Sequence, residues 1–196
     1  MIHTLSIRPL AKIPMNREEA LDIFRHSEEI VSSADVAASI QQMAVAIHDA
    51  MRDEFPLVLS VMGGAAVFTG MLLPHLNFPL EFDYIHLTRY RNTTRGHDMQ
   101  WRVAPAESVK DRVVLVLDDI LDEGETMAAI RDRIIEKGAR RFASAVLCEK
   151  LIAKPKPLRP DFCGVQVPDR YVFGCGMDVN GYWRNLSAIR ALKGDA

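Results

Sequence analysis

Apolar positions in this chain fall into two alternating patterns. An unbroken apolar run stands at 113–117 (VVLVL), a second largely apolar one at 57–61 (LVLSV), and 140–147 (RRFASAVL) reads as a further strand. Such runs, apolar on both faces, predict strands buried in a parallel sheet. Residues 81–90 (EFDYIHLTRY) give a more mixed strand candidate, and 165–167 and 171–175 give short ones. Helical spacing fills the intervals. Asn16 and Glu19 form a capping-box pair ahead of Leu21, Phe24, Ile30 and Val31. A second helix is predicted from Ser33, with Asp35 in its first turn, an apolar face of Val36, Ile40, Met43, Ile47, Ala50 and Met51, and Pro56 as its bound. Val67, Phe68, Met71 and Leu72 make a third up to Pro74, and Met127, Ile130, Ile134 and Ile135 a fourth that stops at Gly138. Strands alternating with helices predict an α/β fold, a parallel sheet with helices on both faces. An ordinary sheet of about four to five strands is expected.

The central run carries the chemistry. It continues as Asp118-Asp119-Ile120-Leu121-Asp122-Glu123-Gly124-Glu125-Thr126, so a buried strand delivers acids to a tight turn that opens a helix. Ligands of open α/β sheets bind beyond the carboxyl ends of the strands. Backbone N–H groups from Asp122 to Thr126 precede or begin the helix and make an anion site, with phosphate the usual guest. Gly124 permits close approach and positive φ. Thr126 adds a hydroxyl donor. Asp118 and Asp119 can accept from paired hydroxyls such as those of a ribose, and can hold Mg²⁺ through water. An acidic strand-to-helix turn serving only as a cap is the simpler alternative. A second nest, Met62-Gly63-Gly64, follows the 57–61 strand; by itself it is equally a close-packed turn. No Walker A loop is present.

The hydrophobic run followed by D-D-I-L-D-E-G-E-T resembles the 5-phosphoribosyl pyrophosphate (PRPP) signature of type I phosphoribosyltransferases, and in particular the hypoxanthine-guanine branch of that family. The resemblance extends from about Leu57 to Leu192. It implies a parallel-sheet core with a small hood built from N- and C-terminal segments. The chain is then one domain: 1–55 a helical lead-in and hood, 56–150 the core, and 151–196 the base-binding hood and C-terminal segment. It further implies that PRPP is held by Asp118, Asp119, Asp122, Glu123, Gly124, Glu125 and Thr126, and that Asp122 is the general base at purine N7. Glu123 and Glu125 stand where relatives often carry Thr and Lys, so their side chains are expected to point to solvent while their N–H groups bind.

The same resemblance assigns pyrophosphate to Met62, Gly63, Gly64 and Arg184, with a non-proline cis peptide at Val61–Met62. Many relatives have lysine at Met62. The polar, basic run from Arg89-Tyr90 to His97 corresponds to a mobile lid, with Arg89 where the family has serine. Counting back from Pro160-Asp161-Phe162 puts the base-reading lysine on Lys150, which taken alone reads as a solvated surface charge. An ammonium has donors only, so it suits the carbonyl of a 6-oxopurine and not the amino group of adenine. Tyr171 corresponds to the aromatic that stacks on the purine and Val172 to backbone contacts at its edge. Asp178, with Asp118 and Asp119, corresponds to the Mg²⁺ site.

Composition narrows this little. The 196 residues suit one domain, and 48% apolar residues suffice for a sizeable core. A net charge of −2 gives no reason to expect nucleic acid as a partner, which weakens the alternative of a PRPP-sensing regulator with this fold. Transfer to another base, xanthine alone or a pyrimidine, stays open. Cys148, Cys163 and Cys175 fit neither a disulfide framework nor a zinc site and are expected to be buried thiols. His26 and His48 are expected to be structural or surface residues. Without a long apolar run or signal pattern, the expectation is a cytoplasmic enzyme, away from membranes, that forms a homodimer or homotetramer as relatives do.

Overall fold

The computed structural model describes residues 15–89 and 99–193, with Arg89 described through its backbone alone. Asn16 opens α1 (Arg17–Arg25): its side chain accepts from the Glu19 N–H while the Glu19 carboxylate accepts from the Asn16 N–H. The apolar stripe does not carry this helix on to Ile30 and Val31, as expected from spacing. Residues Ser27–Val31 instead form β1, paired antiparallel with the last strand. His26, Ser27, Glu28 and Glu29 interrupt the stripe, and the pairing that captures Ile30 and Val31 comes from the far end of the chain.

Ser32 caps α2 (Ser33–Met51) by accepting from the Asp35 N–H. There follow β2 (Leu57–Met62), α3 (Ala66–Leu72), β3 (Glu81–Arg89), β4 (Met99–Val103), β5 (Val113–Leu121), α4 (Glu125–Glu136), β6 (Arg141–Leu151), β7 (Phe162–Pro168), β8 (Val172–Phe173) and β9 (Ile189–Leu192). The main sheet has six strands in the order β4-β3-β2-β5-β6-β7, more than the four to five expected. All neighbours are parallel except β4, which turns back along β3 and places Trp101 opposite Leu87.

β5 lies at the centre because it is apolar on both faces. Leu115 and Leu117 pack towards α2 and α3, while Val114 and Val116 pack towards α4. The period of two in a strand sends alternate side chains to opposite faces, so helices must cover both. β1, β9 and β8 form a separate three-stranded antiparallel sheet, which joins N- and C-terminal segments as the hood. Among the described residues, no helix is long and apolar enough to cross a membrane.

Candidate active site

The central strand outlasts its apolar run. β5 continues through Asp118, Asp119 and Ile120 to Leu121, in register with β6 up to the Leu121–Glu149 pair. The chain then turns at Gly124, whose φ of +83° suits a residue without Cβ, and enters α4. The first bond of that helix runs from the Ala128 N–H to the Gly124 carbonyl. The N–H groups ahead of it therefore face out of the helix N-terminus, where an anion is favoured.

Two adjoining cavities open at this end of the sheet. One, of about 260 Å³, is walled by Asp118, Asp119, Asp122, Gly124 and Thr126, with Val61 and Met127 behind them. The other, of about 200 Å³, is walled by Asp119, Ile120, Asp122, Lys150, Tyr171, Val172, Met177 and Asp178. Asp119 and Asp122 belong to both. Five of the seven residues expected to hold the sugar phosphate, Asp118, Asp119, Asp122, Gly124 and Thr126, thus line one chamber, those expected to read the base line the next, and two carboxylates stand between. Lys150 reaches across this boundary, its Nζ 2.8 Å from Asp122 Oδ2. The Tyr171 hydroxyl donates to the Asp178 carbonyl at 3.1 Å, which ties the aromatic to the hood.

The acid pair is electrostatically costly as it stands. Burial, and then the charge of Asp119, pushes the Asp118 carboxyl well above the ordinary range. Burial also pushes Asp119 up, against the opposing pull of the bonds it accepts and of the Arg184 guanidinium. A cation or a set of hydroxyl donors would relieve both. All-oxygen donors suit Mg²⁺, which keeps several waters and substrate oxygens rather than filling a protein cage. Among the described residues, no three Asp, Glu, His or Cys side chains are placed to hold a metal by themselves. Asp178 is less available than expected, because it pairs with Arg184 at 2.5 Å.

The pyrophosphate candidates reach this site through backbone contact. A Cβ on Gly64 would lie 1.9 Å from Asp119 Oδ2, so the glycine is what lets the loop rest on the acid. Gly176, at φ +103°, sits against the Gly64 carbonyl, which a Cβ would approach to 2.0 Å. Arg184 donates to the Gly176 carbonyl at 2.5 Å. Met62 is half-buried and Gly63 exposed at the end of β2. The non-proline cis peptide is Met62–Gly63, one bond later than expected by analogy at Val61–Met62.

Some expectations change. Glu123 and Glu125 do not project freely into solvent: half-buried, they line a surface hollow with Lys154, Pro155, Lys156 and Pro157. Cys163 is exposed rather than buried, because it stands near the start of β7, the edge strand of the sheet, while Val167 further along the same face is buried. Arg89 ends β3, while Tyr90 and the lid run after it lie outside the described residues. Ile120, Met177, Gly174 and Gly176 were given no role from the sequence, although Gly176-Met177-Asp178 belongs to the motif set that carries the family resemblance. Ile120 is the apolar spacer inside the acidic motif, Met177 precedes Asp178, and the Gly174-Cys175-Gly176 alternation was the available signal for a close approach.

The phosphoribosyl transferase domain family model matches residues 26–180. Hypoxanthine-guanine-xanthine phosphoribosyltransferase of Tritrichomonas foetus is 32% identical over 160 residues, 81% of this chain and 87% of that protein. Hypoxanthine-guanine phosphoribosyltransferase of Bacillus subtilis (strain 168) is 27% identical over 165 residues, covering 84% and 92%. A solved structure of a hypoxanthine-guanine-xanthine phosphoribosyltransferase superposes with a TM-score of 0.71 at 30% identity, over 85% of this chain and 94% of that one. A hypoxanthine phosphoribosyltransferase structure from Staphylococcus aureus, at 20% identity, shares the fold with a TM-score of 0.81 over 88% and 95%. The chain belongs to the phosphoribosyltransferase family. Within it, the relatives just described are those acting, by name, on hypoxanthine and guanine.

Proposed function

We propose that this enzyme transfers the 5-phosphoribosyl group of PRPP to N9 of a 6-oxopurine, hypoxanthine or guanine with xanthine as a further candidate, giving the nucleoside monophosphate and pyrophosphate for purine salvage. The observation that carries this reading is the pair of chambers joined at Asp119 and Asp122, with Lys150 bridging them at 2.8 Å. The helix-opening turn with Thr126 receives the 5′-phosphate. Asp118 and Asp119 accept from the ribose hydroxyls. Gly63, Gly64 and Arg184 hold pyrophosphate, with Met62 contributing backbone only.

In the second chamber Tyr171 stacks on the purine, the Val172 backbone meets its edge, and the Lys150 ammonium donates to the 6-oxo group. Purine entry separates Lys150 from Asp122 and frees each for its own atom, O6 for the amine and N7 for the carboxylate. Asp122 then takes the N7 proton or stabilises charge developing there. Asp118, Asp119 and Asp178 would hold Mg²⁺ together with substrate oxygens, and the ion would supply charge neutralisation for the leaving pyrophosphate.

Phe82 and Tyr84, exposed on one face of β3, support a homodimer or homotetramer as the working assembly. The described thiols are free, which fits a reducing compartment, the cytoplasm.

The test is product formation from PRPP and Mg²⁺ with hypoxanthine, guanine, xanthine, adenine and uracil, for the wild type and Asp122→Asn. Nucleotide from 6-oxopurines alone, with a rate loss of about 10²–10⁴ in the variant, is expected. Equal turnover of adenine would overturn the role of Lys150, and an unimpaired variant would overturn that of Asp122.

A further inference from the structure

We propose that Lys156 is a positioning residue that holds the purine reader and the catalytic carboxylate in one geometry. The proposal rests on the roles given above to Lys150 and Asp122. Lys156 sits between Pro155 and Pro157 in the loop after β6. Proline fixes its own φ and keeps the preceding residue extended, so the loop can present this side chain in a set direction. The side chain is 10% exposed, a degree of burial that lysine tolerates only with partners for its charge.

Its ammonium meets three acceptors: the Lys150 carbonyl at 2.6 Å, the Leu121 carbonyl at 3.1 Å and Glu149 Oε1 at 3.4 Å. Three donors meeting three acceptors satisfy the group completely.

The identity of those carbonyls gives the inference its content. Leu121 and Glu149 are the last register pair of β5 and β6. Beyond it β5 ends, while β6 runs on beside β7 alone, so backbone groups at this edge need partners from outside the β5–β6 ladder. The Leu121 carbonyl belongs to the peptide plane that ends in the Asp122 nitrogen. The Lys150 carbonyl belongs to the plane that leaves the Lys150 Cα. One ammonium therefore fixes the backbone on both sides of the Lys150–Asp122 pair. The loop also lies under the phosphate turn: a Cβ on Gly124 would come within 3.2 Å of Pro157 Cδ and 3.5 Å of Lys156 Cβ. Phosphate turn, carboxylate and purine reader share this one support.

The experiment compares wild type, Lys156→Met and Lys150→Met by steady-state kinetics with hypoxanthine and PRPP, with melting temperature measured on each protein. Lys156→Met is expected to raise the purine KM about tenfold and to lower kcat, because small misplacement of reacting groups is costly. A structural role alone would lower the melting temperature and the active fraction while leaving the purine KM at the wild-type value, and that result overturns the proposal. If Lys150→Met raises the purine KM and Lys156→Met does not, Lys156 is not a positioning residue while the reading of Lys150 stands. If neither raises it, the role of Lys150 falls and the proposal with it. Should Lys156→Met fail to fold, Lys156→Gln keeps two N–H donors without charge: a severalfold rise in purine KM supports the proposal, and a folded variant with wild-type KM overturns it.

Discussion

A single methyl group at Gly64 would stand 1.9 Å from Asp119 Oδ2, and the near neighbour in the way is the carboxylate proposed to accept from the ribose hydroxyls. Gly64→Ala is therefore expected to cost activity more than stability. Turnover should fall by about 100-fold as Asp119 is pushed aside, against a stability loss of about 1–3 kcal/mol for overpacking. Steady-state rates beside a urea titration separate the two. The cysteines give a second expectation at this scale. Cys163 is exposed, yet partial burial of its sulfur and the Glu149 carboxylate raise its thiol pKa above the ordinary value. Burial takes Cys175 to about 11 and pushes Cys148 up as well. The thiolate is the reactive form. Iodoacetamide should thus modify Cys163 alone in the native protein, slowly at pH 7 and faster towards pH 9, as peptide mass mapping would show. Rapid labelling of Cys148 before unfolding would contradict the burial on which this rests.

Between residues and the whole molecule, short motifs act by fastening one element to another. Pro160-Asp161-Phe162 served in the sequence only as a ruler for finding Lys150. In the structure Asp161 Oδ2 accepts from the Ser144 N–H at 2.8 Å and the Ser144 hydroxyl at 3.2 Å, which anchors the start of β7 to β6. Asp161→Ala leaves both donors without this partner and is expected to cost about 1–3 kcal/mol, seen as a lower urea midpoint with kcat little changed. The elements themselves were legible where sequence and burial agree. The β2 and β5 runs, the cap at Asn16, the start of α2 at Ser33 and the helix opening at Gly124 all follow from local chemistry. β1 was not legible, because Ile30 and Val31 fit a helical stripe equally well until β9 supplies a partner. β4 was missed because its alternation is carried by Met99, Trp101 and Val103 beside a basic run that reads as loop.

At the scale of the whole molecule, hood and core meet over the two chambers. Arg170 pairs with Glu28 of β1 and donates to the Leu192 carbonyl of β9 at 2.5 Å, so one guanidinium fastens the hood sheet. That guanidinium holds the Glu28 carboxyl below its ordinary value near 4.5. A lowered folded-state value means the contribution is complete above the unfolded value and is lost as pH falls through the folded one. Glu28→Gln should accordingly narrow the drop in melting temperature between pH 6 and pH 3, and an unchanged drop would show that the pair does not act on stability. Ligand occupancy should also be readable across the molecule. PRPP with Mg²⁺ is expected to slow amide exchange at the α4 N-terminus, and the nucleoside monophosphate to slow it at both α4 and β8. Protection confined to α4 with the nucleotide would break the link between hood and base.

By itself the sequence determined what depends on neighbours in the chain: a buried central strand, an acidic turn after it, a glycine where φ is positive, and the order of strand and helix. It also placed, through family resemblance, the polar side chains that line the two chambers, though not most of the apolar ones between them. Only the tertiary structure decided what those residues do to one another. The Lys150–Asp122 pair joins positions 28 residues apart, the Gly64–Asp119 contact joins two strand ends, and Lys156 becomes a support because β5 stops at Leu121 while β6 runs on beside β7. Local propensity and spacing are short-range quantities, whereas contact across a sheet end depends on where each strand stops.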